Sequence, residues 1–264
     1  MVRAITLLLL ISPLSFAGDN TLTITTKGTN NSITTKQVGN GNSTYILCGA
    51  GSSGTMSGAN YSSHSCTNAV WSSTVEGNSN TVKMFTVWSN NIGNASTVTI
   101  DGNDNYAYID QDEDDNTVTI TQTGNNNHAE SLGSGDDNVY STTQTGNSKY
   151  AKIFFFGDDS NITINQYGTG EHNSYIYGNG GAHNNIANVT QYGSGNKDAD
   201  IFFYASDNEV DLTQYGTGAH TANMKFYSTG YDVDVTQLGA TNQSYTATFN
   251  CTSSCTKTIS ITQQ

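Results

Sequence analysis

The side chains best equipped for chemistry in this chain are its carboxylates, which recur in clusters: "DQDEDDN" over Asp110 to Asn116, then Asp136 with Asp137, Asp158 with Asp159, Asp207 and Asp232. Clustered oxygen ligands suit calcium. The leading reading of these clusters is solvated turn charge that restrains aggregation, so no metal or cofactor is assigned. Asp112, Asp114, Asp136 and Asp158 are the candidate ligands of the alternative reading, in which the cation would be calcium. The glycine-rich nonapeptide of calcium-binding solenoids does not occur. His64, His128, His172, His183 and His220 share no metal-type spacing, and no serine stands in a G-x-S-x-G setting with a credible base. No catalytic residue is assigned, and no enzymatic activity is expected.

The residues that must position these groups begin with an export signal. "MVRAITLLLLISPLSFA" has basic Arg3, an apolar run from Ile5 to Ile11, Pro13 and a small Ala17, and reads as a signal peptide over residues 1–17. No later segment approaches the ~20 apolar residues that span a bilayer. Loss of Arg3 leaves eight lysines against 22 acidic residues, a net charge of about −14, so no nucleic-acid partner is expected. In an exported chain Cys48, Cys66, Cys251 and Cys255 imply up to two disulfides. Proximity favours Cys48 with Cys66 and Cys251 with Cys255 among three connectivities. Zinc is the rival reading, although "CTSSC" lacks a second ligand pair.

Only 34% of residues are apolar, so a conventional core is short of material and an ordered state must repeat a thin one. Aligning on Gln-x-Gly gives Gln37, Gln122, Gln144, Gln166, Gln191, Gln214 and Gln237, the last six spaced 22, 22, 25, 23 and 23 apart. Such a period indicates a solenoid, propeller or array. Six residues before each Gln stands Asn31, Asn116, Asn138, Ser160, Asn185 or Asn208, with Tyr231 the exception. Apolar pairs such as Ile162 with Ile164 lie between at period two, so one strand face reads Asn/Ser, apolar, apolar, Gln.

A glycine-rich turn follows, then a second alternating run ending in Phe155, Phe203, Phe226 or Phe249, which predicts an aromatic column. The unit is strand, turn, strand, turn. Helical periodicity is missing, and a propeller blade needs about 40 residues. The expected fold is thus all-β, a β-solenoid over residues 18–264 with rungs of about 22 to 25 residues, roughly ten rungs and on the order of 50 Å long. Weaker copies are placed at Asn20 to Thr26, Asn80 to Thr86 and Ser96 to Gly102, and an inserted loop near residues 48–75.

Buried amides cost roughly 1 to 3 kcal/mol when unpaired. In a parallel stack each Gln can donate to one neighbour and accept from the other, as in cross-β ladders. The end rungs leave open strand edges that invite further strands. The motifs "NEVDLTQYGTGAHTA" (Asn208 to Ala222), "NTVTITQTGNNNHA" (Asn116 to Ala129) and "SNITINQYGTG" (Ser160 to Gly170) resemble the curlin repeat of curli-type bacterial fibres, roughly Ser-x5-Gln-x-Gly-x-Gly-Asn-x-Ala-x3-Gln. The resemblance covers Asn116 to Gln264 best. It implies a curlin-like solenoid serving as the subunit of an amyloid-like surface or biofilm-matrix fibre, secreted through an outer-membrane channel, adhesive, and partnered by itself and a related repeat protein.

This chain departs from the pattern in its second strand, which mostly ends in Phe or Gly rather than Gln, in its four cysteines and insert, and in lacking a polar leader between Ala17 and Asn20. The alternative is a monomeric surface adhesin or cation-binding module. A file of outward threonines, Thr121, Thr143, Thr190, Thr213 and Thr236, also admits ice binding. Tyr167, Tyr192 and Tyr215, one after each repeat Gln, pack at the turn or offer a sticky strip.

Overall fold

The computed structural model describes residues 7–9, 18–26, 28–48, 66–86, 91–111, 113–179, 185–204, 208–227, 230–248 and 257–264. Asp112, Phe249, Cys251, Cys255 and most of the expected signal peptide lie outside them. All named elements are strands, and every strand pair is parallel. One sheet has eleven strands. After Leu7–Leu9 come Ser32–Val38, Val70–Glu76, Ala95–Asp101, Thr117–Thr123, Val139–Thr145, Asn161–Tyr167, Ile186–Tyr192, Asn208–Tyr215, Tyr231–Leu238 and Lys257–Gln263, in that order in space. These strands mark about nine turns of a β-solenoid.

The opposite wall is a seven-stranded sheet running from Thr21–Thr25 through Ser43–Cys48, Thr81–Thr86, Tyr106–Asp110, His128–Glu130 and Tyr150–Lys152 to Asn173–Tyr175. His220–Thr221 and Gln243–Ser244 extend this wall as a separate pair. Alternation of polar and apolar residues produces both walls, because a strand turns successive side chains to opposite faces. In Asn161–Tyr167, Ile162, Ile164 and Gln166 are buried while Asn161, Thr163, Asn165 and Tyr167 keep contact with solvent. The core between the walls is one file per position: Val118, Tyr140, Ile162, Ala187, Val210 and Val233 succeed one another, as do Ile120, Thr142, Ile164, Val189, Leu212 and Val235.

Three expectations change. Thr21–Thr25 and Thr81–Thr86 belong to the second wall, because the apolar pairs Leu22 with Ile24 and Val82 with Met84 suit either wall and only the closing Gln distinguishes them. Only Ser96 to Gly102 of the weak copies lies on the Gln side. The break in the array is narrower than 48–75: Cys66–Thr67 pairs with Gly28–Thr29 and Asn91–Ile92, and Val70–Glu76 is a full rung strand. That strand carries Trp71, Ser73 and Val75 at the inward places, which hides its kinship. The later second runs also lose regular ladder bonding. Lys197, Ala199, Ile201 and Phe203 stay buried in alternation, yet Asp200 to Tyr204 have positive φ.

The turn after each Gln brings backbones into contact. Gly193 has φ 119°, and a Cβ there would lie 2.2 Å from the Gly216 carbonyl oxygen. The same relation recurs from Gly146 to Gly168. Only a residue without Cβ stacks at this place. Gly193→Ala is expected to destabilise the protein by more than about 1 kcal/mol, measured as a lowered urea midpoint.

Candidate functional site

Six of the seven repeat glutamines stand in one ladder, and Gln37 does not join it. Gln122, Gln144, Gln166, Gln191, Gln214 and Gln237 are fully buried and directly paired in register. Each Nε2 donates to the Oε1 of the next glutamine at 2.8 or 2.9 Å, and Gln237 donates to Gln263 at 2.8 Å. The second Nε2 hydrogen crosses the core: Gln122 donates to the Tyr106 carbonyl, Gln144 to His128, Gln166 to Tyr150 and Gln214 to Asp198. One amide thus bonds along the axis and between the walls.

The ladder has two unlike ends. Gln122 neighbours Ile100, and its Oε1 is buried without a partner among the described residues. Gln37 holds the same file but is cut off by Val75 and Ile100. It donates instead to Thr44 Oγ1 at 2.8 Å. At the other end Gln263 is half-buried on the edge strand and reaches the Ser244 carbonyl at 3.3 Å.

A turn motif not singled out in the sequence supplies two further files. In Asn40-Gly41-Asn42, Asn78-Ser79-Asn80, Asn103-Asp104-Asn105 and Asn125-Asn126-Asn127 the middle residue has φ between 55° and 67°. The first Asn accepts, through Oδ1, the N–H of its counterpart one rung earlier, as Asn103 does from Asn78 and Asn125 from Asn103. The third Asn points inward: Asn80, Asn105 and Asn127 donate to the carbonyls of Gly102, Gly124 and Gly146. They accept the N–H of the next rung, from Asn105, Asn127 and Lys149. The spacing Asn-x-Asn was the available signal.

The acidic clusters use the same motif on the other turn. Asp114 accepts the Ile92 N–H at 2.8 Å, Asp136 that of Asp114 at 2.8 Å, and Asp158 that of Asp136 at 2.9 Å. Their following residues Asp115, Asp137 and Asp159 have φ of 53°, 57° and 56°. The inward residues Asn116 and Asn138 donate to the Gly135 and Gly157 carbonyls. Each of these aspartates therefore has a structural task. Carboxylate oxygens of Glu113, Asp136 and Asp158 also lie within 4.8 Å of one another.

From Lys149 onward the inward file changes character to Lys149, His172, Lys197, His220 and Gln243. Lys149 Nζ donates to the Gly168 and Gly170 carbonyls at 2.8 Å each, and Lys197 Nζ is held by the carbonyls of Gly195, Gly216 and Gly218. His172 and His220 donate through Nε2 to Tyr167 and Tyr215 carbonyls, leaving each Nδ1 buried without a partner among the described residues. Burial pushes the Lys149 ammonium down to about 8, and burial together with the Lys149 charge pushes His172 down to about 4.

Other expected groups fall as follows. Cys48 and Cys66 form a disulfide. Phe203 stacks on Phe226 at 5.7 Å and meets Phe155 edge-on at 6.3 Å. Gly178 holds the place between Phe155 and Phe203, where a Cβ would lie 2.6 Å from the Phe155 ring. Tyr192 stacks on Tyr215 at 5.2 Å, both about half exposed, while the Tyr167 hydroxyl bonds Asn165. The threonine file is interrupted by Asn165.

Two of these stacked amides, Gln191 and Gln214, sit in a segment with a known counterpart. Residues 182–216 match the family model of the curlin associated repeat. The match spans one turn, from the strand bearing Gln191 to that bearing Gln214. No curated protein and no solved structure matches the chain.

Position in the ladder sets the cost of losing an amide. Gln166→Leu strips Gln144 of an acceptor and Gln191 of a donor, and should cost about 1 to 3 kcal/mol. Gln122→Leu removes an oxygen already unpaired beside Ile100, and should cost visibly less in the same urea titration.

His172 carries a pH dependence. Its folded pKa lies below the ordinary value, so its stabilising effect is complete above about 6.5 and is lost as pH falls toward about 4. The melting temperature is expected to drop across that window, and His172→Asn, which restores the residue of earlier rungs, should flatten the drop relative to the unmodified chain.

Proposed function

We propose that this protein is an exported structural subunit of an amyloid-like fibre on a bacterial surface or in its matrix, promoting adhesion and growing by end-to-end addition of rungs. The observation that carries this reading is the amide ladder ending on an open edge strand, Lys257–Gln263, with Gln263 at its end. A parallel edge with unpaired backbone groups templates another strand, and in-register amides are the side-chain order of cross-β assemblies. The curlin-repeat match and the solenoid fold support a curli-like structural subunit. Among the described residues no helix is long and apolar enough to cross a membrane. Secretion and partnership with a channel and a second repeat protein belong to this proposal.

Purified protein lacking residues 1–17 is expected to form unbranched fibres by electron microscopy and to raise thioflavin fluorescence after a lag that preformed fibres abolish. A persistently monomeric product under these conditions would remove the reading.

A further inference from the structure

The two ends of the solenoid are complementary halves. At one end the last strand, Lys257–Gln263, lies on the Gln wall. At the other, the second wall begins with Thr21–Thr25, ahead of Ser32–Val38. A second copy placed on the first therefore continues the alternation of walls with no strand missing and none duplicated.

The files fix the register. Continuous pairing carries the Gln37 position through Val75, Ile100 and Gln122 to Gln263, and the Ile33 position to Ile259. Gln37 has the right place in the ladder and no glutamine beside it in its own chain. Gln263 accepts from Gln237 through Oε1 and donates one Nε2 hydrogen to the Ser244 carbonyl, which leaves the other Nε2 hydrogen without a partner among the described residues. On the second wall Asn20 and Gln243 share the inward file. The Gln243 Oε1 is buried without a partner among the described residues. In earlier rungs the corresponding oxygens of Asn20, Asn42, Asn80 and Asn105 each accept the N–H of the next rung. The Asn20 N–H, bonded to the Gly18 carbonyl in the single copy, is the donor that a following copy would bring there.

Resting on the fibre reading above, we propose that Lys257–Gln263 of one copy pairs in parallel with Ser32–Val38 of a second copy of this chain. Gln263 Nε2 donates to Gln37 Oε1, Ile259 packs on Ile33, and Asn20 meets Gln243. Such a head-to-tail contact is heterologous and does not close, so it builds a filament. The same edge is occupied in the uncleaved chain: Leu7, Leu8 and Leu9 pair with Ile33, Thr34 and Thr35, the places that Ile259, Ser260 and Ile261 take in this register. Removal of the leader frees the docking strand.

Charge exchange tests the contact. In seeded elongation followed by thioflavin fluorescence, Gln37→Lys and Gln263→Glu are each expected to slow growth on their own seeds by at least about tenfold, since each buries an unpaired charge. The double variant Gln37→Lys/Gln263→Glu should recover to within about threefold of the unmodified protein, because the two charges then face each other. Recovery also shows that neither substitution prevents folding. Single variants that elongate normally, or a double variant slower than both, would overturn this interface while fibres of the unmodified protein leave the fibre reading standing. Absence of fibres from the unmodified protein would instead remove the fibre reading itself.

Discussion

Everything in this molecule depends on a side-chain amide finding its partner one rung away. A Gln buried between two sheets has two hydrogens and one oxygen to satisfy, and no water to help. Parallel, in-register stacking satisfies them by identity: the neighbour of Gln144 is Gln166, the neighbour of Gln166 is Gln191. A slip of one residue would turn the whole file outward. The second Nε2 hydrogen adds a cross-core bond to the opposite wall, so the files that set axial register also hold the walls together. This is how a chain with few large aliphatic residues sustains an ordered interior.

The turns obey the same rule with different chemistry. Asn, Asp, Lys and His occupy equivalent places because each can offer what the neighbouring backbone lacks. An inward Asn such as Asn105 donates to a glycine carbonyl and to the Asn80 amide oxygen, and accepts an N–H of the next rung. Lys149 and Lys197 supply more donors and engage two and three carbonyls, but bring charge into the interior with no carboxylate bonded to them among the described residues. The intervening His172 remains tolerable because it stays neutral, which its depressed pKa reflects. Outward, the aspartates do what Asn does on the other turn, with the negative charge left toward solvent.

The Gln file and its apolar pairs were legible in the sequence because a strand's period of two and a regular spacing leave little freedom for another fold. The walls were harder to tell apart. Leu22 with Ile24 and Val82 with Met84 have the alternation of a Gln strand but stand on the opposite side, since alternation reports burial and not which sheet does the burying. Val70–Glu76 escaped notice because Trp71 and Ser73 exchange volume with neighbouring rungs, a compensation visible only when rungs are stacked. The files of the Asn-x-Asn turn were hidden by composition: in a glycine-rich turn Asn78, Asn80, Asn103 and Asn105 read as local turn formers, and their partners lie 19 to 25 residues away.

Stability is therefore distributed by different means along the axis. From Gln122 to Gln263 the amides point the same way, and reversing one would set two donors or two acceptors against each other, so the direction is cooperative and gives the ladder a polarity. Before Gln122 the file turns apolar at Val75 and Ile100, and this stretch is held by Trp71, the Asn files and the Cys48–Cys66 disulfide. The disulfide closes an 18-residue separation, which is worth roughly 3 kcal/mol through the unfolded chain. A covalent staple stands where the ladder is interrupted, and amides stand where it is continuous. The two ends consequently differ in chemistry as well as in topology, so a second copy meets a donor at one end and an acceptor at the other.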